Sequence, residues 1–69
     1  MILKGKTHKG RSRVKELGKF WDTVTTAERV MFSVEVGPWL LVRPRFVPGD
    51  RFDRWVHPKH DRDFEVCEE

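Results

Sequence analysis

From Val30 to Val36 the chain alternates: Val30, Phe32, Val34 and Val36 are separated by Met31, Ser33 and Glu35. A period of two over seven residues would scatter those side chains around a helix, but it places them on one face of an extended strand. The run therefore predicts a half-buried antiparallel strand. Gly37-Pro38 comes next, and because Pro38 has no N–H to give to a ladder, a break is expected there. Trp39-Leu40-Leu41-Val42 then forms a continuous apolar run closed by Pro44, which reads as a more buried strand over 39–43. Two arrangements fit: 30–36 and 39–43 as the arms of a hairpin, or 34–38 as an extended loop leading into a single strong strand.

The remaining segments follow the same style. Residues 20–26 are rich in aromatic and β-branched types, which favour strand, although Phe20 and Trp21 are adjacent and must face opposite sides. Val47-Pro48-Gly49-Asp50 places Pro before Gly as a type II turn prefers. Residues 52–57 and 63–67 read as the last strands, connected by 58–62, and Ile2-Leu3 can begin a first strand. One stretch has helical spacing: Ser12 can cap, Val14 and Leu17 share a face, and Gly18 suits a left-handed C-terminus. The expected fold is mainly β. It is a single small barrel-like (SH3- or OB-like) domain or a curved antiparallel sheet of four to six strands over residues 1–69, with at most one short helix near 12–17. The expected core is Val14, Leu17, Trp21, Val30, Phe32, Val34, Trp39, Leu41, Val56, Phe64 and Val66.

Size and composition narrow the function. Sixty-nine residues allow one domain and no enclosed two-domain active site. The single Cys67 excludes an internal disulfide, and no apolar run approaches the roughly 20 residues of a membrane span, so a cytoplasmic protein without a membrane partner is expected. The net charge of +3 conceals a gradient: residues 1–19 carry seven cations against Glu16 alone, whereas residues 46–69 carry four cations and seven anions. Either the basic segment meets an anionic partner or the acidic end folds back beside it.

Motifs for catalysis are few. Gly5-Lys6-Thr7-His8-Lys9-Gly10-Arg11-Ser12 is one residue from a phosphate-binding loop, with Arg11 in place of the required Lys. That chemistry also needs a parallel sheet and a long helix, so what survives is a glycine-bearing cationic loop able to approach phosphate oxygens. His57, His60 and Cys67 are the metal-capable cluster, but Lys59 and Arg62 oppose a cation, and a solvated turn is the plainer reading. A Cys67–histidine catalytic pair has little support. No catalytic residue, metal site or cofactor is assigned, and the chain reads as no enzyme. Trp21, Trp39 and Trp55 serve either as core or as a stacking platform for bases.

Lys4-Gly5-Lys6-Thr7-His8-Lys9-Gly10 with Arg13, Gly18 and Trp21, then Gly37-Pro38-Trp39-Leu40 and Arg54-Trp55-Val56, resembles small uncharacterised bacteriophage and prophage proteins. The resemblance implies a bacterial or viral accessory protein and carries over no activity. From the residues themselves, the expected function is a small non-enzymatic binding module. It would contact nucleic-acid phosphates through Lys4, Lys6, Lys9, Arg11, Arg13, Lys15 and Lys19. The alternative is a phage-type protein–protein interaction or assembly module, self-associating through a sheet edge or an apolar patch around Trp39 and Leu40.

Overall fold

The computed structural model describes residues 1–29 and 36–69. In chain order they form β1 (Ile2–Gly5), α1 (His8–Leu17), β2 (Trp21–Arg29), β3 (Val36–Pro44), β4 (Arg54–Val56) and β5 (Phe64–Cys67). The class is mainly β, as expected: β1 pairs with β5, and β2, β3 and β4 pair in that order, all antiparallel. The two sheets run into each other where β2 begins. Ile2 bridges Phe20, the Leu3 N–H donates to the Lys19 carbonyl at 2.9 Å, and the Trp21 N–H donates to the Met1 carbonyl at 3.0 Å. Among the described residues this gives a curved arrangement and no closed barrel.

The helix is longer than its sequence suggests. Thr7 rather than Ser12 is the N-cap, with Oγ1 accepting from the Gly10 N–H at 3.1 Å and donating to Asp63 Oδ1 at 2.8 Å. Gly18 ends it as expected, at φ 94°, with its N–H donating to the Val14 carbonyl at 2.7 Å. The loop expected at Gly5–Ser12 is thus the end of β1 and the first half of α1. Its glycines permit close packing. A Cβ on Gly10 would stand 2.0 Å from the Asp63 carbonyl oxygen, and one on Gly5 would stand 2.2 Å from the Arg11 nitrogen. Helix and strands meet at a distance only glycine allows, which is not a flexible phosphate cradle.

β3 also departs from expectation. Gly37-Pro38 does not break the ladder, because a register shift between Ala27 and Arg29 of β2 absorbs it. Val36 and 39–43 therefore lie on one strand, with no turn at Gly37-Pro38. The alternation at 30–35 lies outside the described residues, as do the expected core residues Val30, Phe32 and Val34.

Within β3 the inward face is set by its partners. Leu40 pairs with Val56, Val42 pairs with both Thr23 and Arg54, and Pro44 pairs with Trp21, all on one side. The core is Leu3, Leu17, Trp21, Val42, Val56 and Phe64, flanked by half-buried Val14, Leu40, Phe52 and Val66. Trp39 and Leu41, both expected in this core, face the other side. There Leu41 pairs with Trp55, and Trp39 stands edge-on to His57 with ring centroids 5.0 Å apart. Trp21 anchors the centre: it is fully buried, and its Nε1–H donates to the Gly18 carbonyl at 2.8 Å.

Candidate nucleic-acid interface

The seven cations of the basic segment do not share one surface. Lys4 lies on β1 opposite Glu65, and Lys6 donates from Nζ to the Asp61 carbonyl at 2.9 Å. Lys9, Arg11, Arg13 and Lys15 belong to α1, whose buried stripe is Gly10, Val14 and Leu17. Lys9 and Lys15 are exposed, while Arg11 and Arg13 border the stripe on opposite sides. Arg11 turns toward β1, donating to the Lys6 carbonyl at 3.4 Å. Lys19 follows the helix, with its ammonium 5.3 Å from the Phe20 ring centroid.

Arg13 faces elsewhere. Four residues before Leu17, it borders a cleft of about 300 Å³ whose floor is Leu17 and Trp21 and whose far wall is Arg51, Phe52, Asp53 and Arg54. The Arg13 and Arg51 guanidiniums lie 6.0 and 5.0 Å from the Phe52 ring centroid. Arg54 stacks on the buried Phe64 ring at 4.3 Å, and its Nε is buried with no hydrogen-bond partner among the described residues. Three guanidiniums thus share one concavity, each against an aromatic face that offsets part of their repulsion.

The carboxylate in that cleft does not neutralise them. Both Asp53 oxygens accept from Arg43, from Nε and from Nη2, each at 2.8 Å. This fork holds the Asp53 carboxyl below its ordinary value of 3.8, chiefly through the hydrogen bond, and raises Arg43. Arg13 has Glu16 at 3.9 Å on the exposed helix surface, a contact worth little.

On the opposite side of the sheet the charges are spent on one another. Arg45 donates from Nε and Nη2 to Asp22 Oδ1 at 3.1 and 3.0 Å and also to Glu69, which accepts from the Met1 amine at 3.2 Å. Glu69 is held below its ordinary carboxyl value of 4.5, first by Arg45 and then by the amine. Phe20 and Phe46 meet edge to face there at 6.1 Å, with Arg45 5.4 Å from the Phe20 centroid and Phe46 73% exposed.

The histidine cluster is a built turn, not the solvated one expected. His57 is buried, and its Nδ1 accepts the N–H groups of Lys59 and His60 at 3.1 and 3.2 Å. The buried Asp61 accepts from the N–H groups of Asp63 and Phe64, both at 3.0 Å. Among the described residues no group of three or more His, Cys, Asp or Glu side chains is placed to hold a metal ion, and no helix is long and apolar enough to cross a membrane. Cys67 is half-buried on β5 opposite Ile2.

Of the basic segment, then, only Arg13 lines the cleft, and its partners Arg51 and Arg54 lie in the stretch that is net acidic along the sequence. The signal for them is local: Arg51-Phe52-Asp53-Arg54-Trp55 interleaves cations with aromatics. No protein-family model, curated protein or solved structure matches the chain. The likeness to phage-type proteins rests on the quoted residues alone.

Proposed function

We propose that this chain is a small non-enzymatic module, acting in the cytoplasm as a phage-type accessory protein, that contacts nucleic-acid phosphates. The contact surface runs from the exposed cations of α1 onto Arg51 and Arg54. The observation that carries this reading is the charge state of the cleft. Arg13, Arg51 and Arg54 line it while its carboxylate, Asp53, is committed to Arg43, so their charge remains free for an external anion. Arginine suits that role because its planar fork matches phosphate oxygens and stacks on rings.

Labelled single- and double-stranded DNA and RNA, titrated at low and at high salt and followed by fluorescence anisotropy, test the reading. Binding should weaken steeply with salt as counterions are released. Replacing Arg11 and Arg13 with Ala should lower affinity for all sequences alike and flatten the salt slope by roughly one unit per lost contact. Absence of binding at low salt would remove the reading. It would leave an assembly module, for which exposed Phe46 beside Phe20 is the specific support and concentration-dependent sedimentation the readout.

A further inference from the structure

We infer that the cleft between α1 and the β3–β4 connection receives one unpaired nucleotide, so that the protein selects single strands over duplexes. This rests on the nucleic-acid reading above and sharpens it.

About 300 Å³ lies at the small end of ligand pockets, enough for one compact ligand and too little for a paired or stacked assembly. Half-buried Phe52 gives a ring above the buried Leu17 and Trp21, while Arg13, Arg51 and Arg54 give cationic charge within the same space. A nucleotide has a flat π-face and an anionic phosphate joined by a sugar, and so uses both kinds of wall at once. A duplex offers phosphates to convex or flat basic surfaces but keeps its base faces stacked away, and a concave site set between helix and strand cannot read them.

The Arg13 and Arg51 guanidiniums lie 6.0 and 5.0 Å from the Phe52 ring centroid, so a base that reaches this half-buried ring meets a π-face and cationic charge together. Arg54, stacked on Phe64, adds its charge to the same wall. An acidic peptide would match the charge but has no flat face for the rings. Charge alone would also be served by the outer face of α1, which offers Lys9 and Lys15 without any aromatic floor.

The experiment compares a short single-stranded oligonucleotide with its own duplex on the full chain, by anisotropy at fixed low salt. The single strand should bind about tenfold more tightly, the scale of one base–aromatic stack. Phe52→Leu should abolish that preference while changing duplex affinity less than about twofold, whereas Phe52→Tyr, which keeps the ring, should retain it. Because Phe52 packs on the core, Arg51→Gln on the exposed loop gives an independent arm, in which single-strand affinity should fall more than duplex affinity. A nucleoside monophosphate should displace the single strand, and polyglutamate at equal charge should not. Equal affinity for the two forms, a preference indifferent to Phe52→Leu and Arg51→Gln, or equal displacement by polyglutamate would overturn the inference. Salt-dependent binding of both forms alike would remove only the nucleotide site and leave phosphate contact standing, whereas no binding of either form removes both.

Discussion

Phe20 and Trp21 are adjacent in the chain and face opposite sides of the sheet, and the arginines on those two sides are held in opposite ways. On the Phe20 side, Arg45 is bound to Asp22 and Glu69, and the N-terminal amine closes the network. On the Trp21 side, Arg13, Arg51 and Arg54 rest against Phe52 and Phe64. A carboxylate cancels the charge of an arginine, whereas an aromatic ring positions it and leaves the charge in place. Counting cations along the sequence does not separate these cases, and the partner of each guanidinium does. Arg43 marks the boundary, since it takes up the one carboxylate that lines the cleft.

The largest effect should come from the contact that carries Arg13 to the cleft. Gly10→Ala places a Cβ 2.0 Å from the Asp63 carbonyl oxygen, a clash with the backbone just before β5 that no rotamer relieves. We expect it to cost at least about 3 kcal/mol, visible as a large fall in melting temperature. Oligonucleotide binding should fail with it, because α1 can no longer sit against the Asp63 backbone that leads into β5. A variant as stable as the wild type would show that the helix is not seated as described.

How far the sequence discloses this arrangement differs by element. The β class is legible because turn signals and alternating patterns recur along the whole chain, and Gly18 marks the helix end through its positive φ. The helix start is not legible, because Thr7 is fixed partly by Asp63, 56 positions away. The facing of β3 is lost for a different reason: Trp39-Leu40-Leu41-Val42 is apolar throughout, so nothing local says which residues turn inward. That choice is made by Val56 and Trp21 across the ladders. At the candidate site, Arg13 can be picked from the basic segment and Arg51 and Arg54 only from their interleaving with Phe52 and Trp55. That Asp53 is neutralised by Arg43 is a tertiary fact with no sequence signature.

The comparison can be sharpened by moving one arginine from one class to the other. Asp53→Asn takes the carboxylate from Arg43 and removes the cleft's negative charge, so affinity for single-stranded DNA should rise about two- to threefold at low salt. An unchanged affinity would mean that paired and unpaired arginines are equivalent, against the distinction drawn above.

Acid should act on both sides through the paired carboxylates. Asp53 and Glu69 are held below 3.8 and 4.5, so the unfolded chain binds protons at these sites more readily than the folded one. Their stabilisation is therefore fully present above about pH 5 and is lost as pH falls below about 4. Urea midpoints measured from pH 6 to pH 3 should decline in that window, and the decline should be shallower in Arg43→Gln. A midpoint flat down to pH 3 would contradict the pairing.

The smallest effect belongs to the exposed aromatic of the Phe20 side. Phe46 is 73% exposed, so Phe46→Ser should alter stability by less than about 0.5 kcal/mol and leave oligonucleotide affinity within about twofold. A tenfold loss would move the binding surface to that side.

The most direct test compares salt slopes for a single-stranded oligonucleotide. Two single variants of equal charge change are needed, Arg51→Gln on the cleft and Arg45→Gln among the carboxylate-held arginines. Each phosphate contact on a single strand contributes about 0.7 to the slope of log affinity against log salt. The cleft variant should therefore flatten the slope by about 0.7, and the other should leave it within about 0.3 of the wild type. Equal flattening by the two variants would contradict the account, because it would show that affinity follows total charge and not the arginines left free by their aromatic partners.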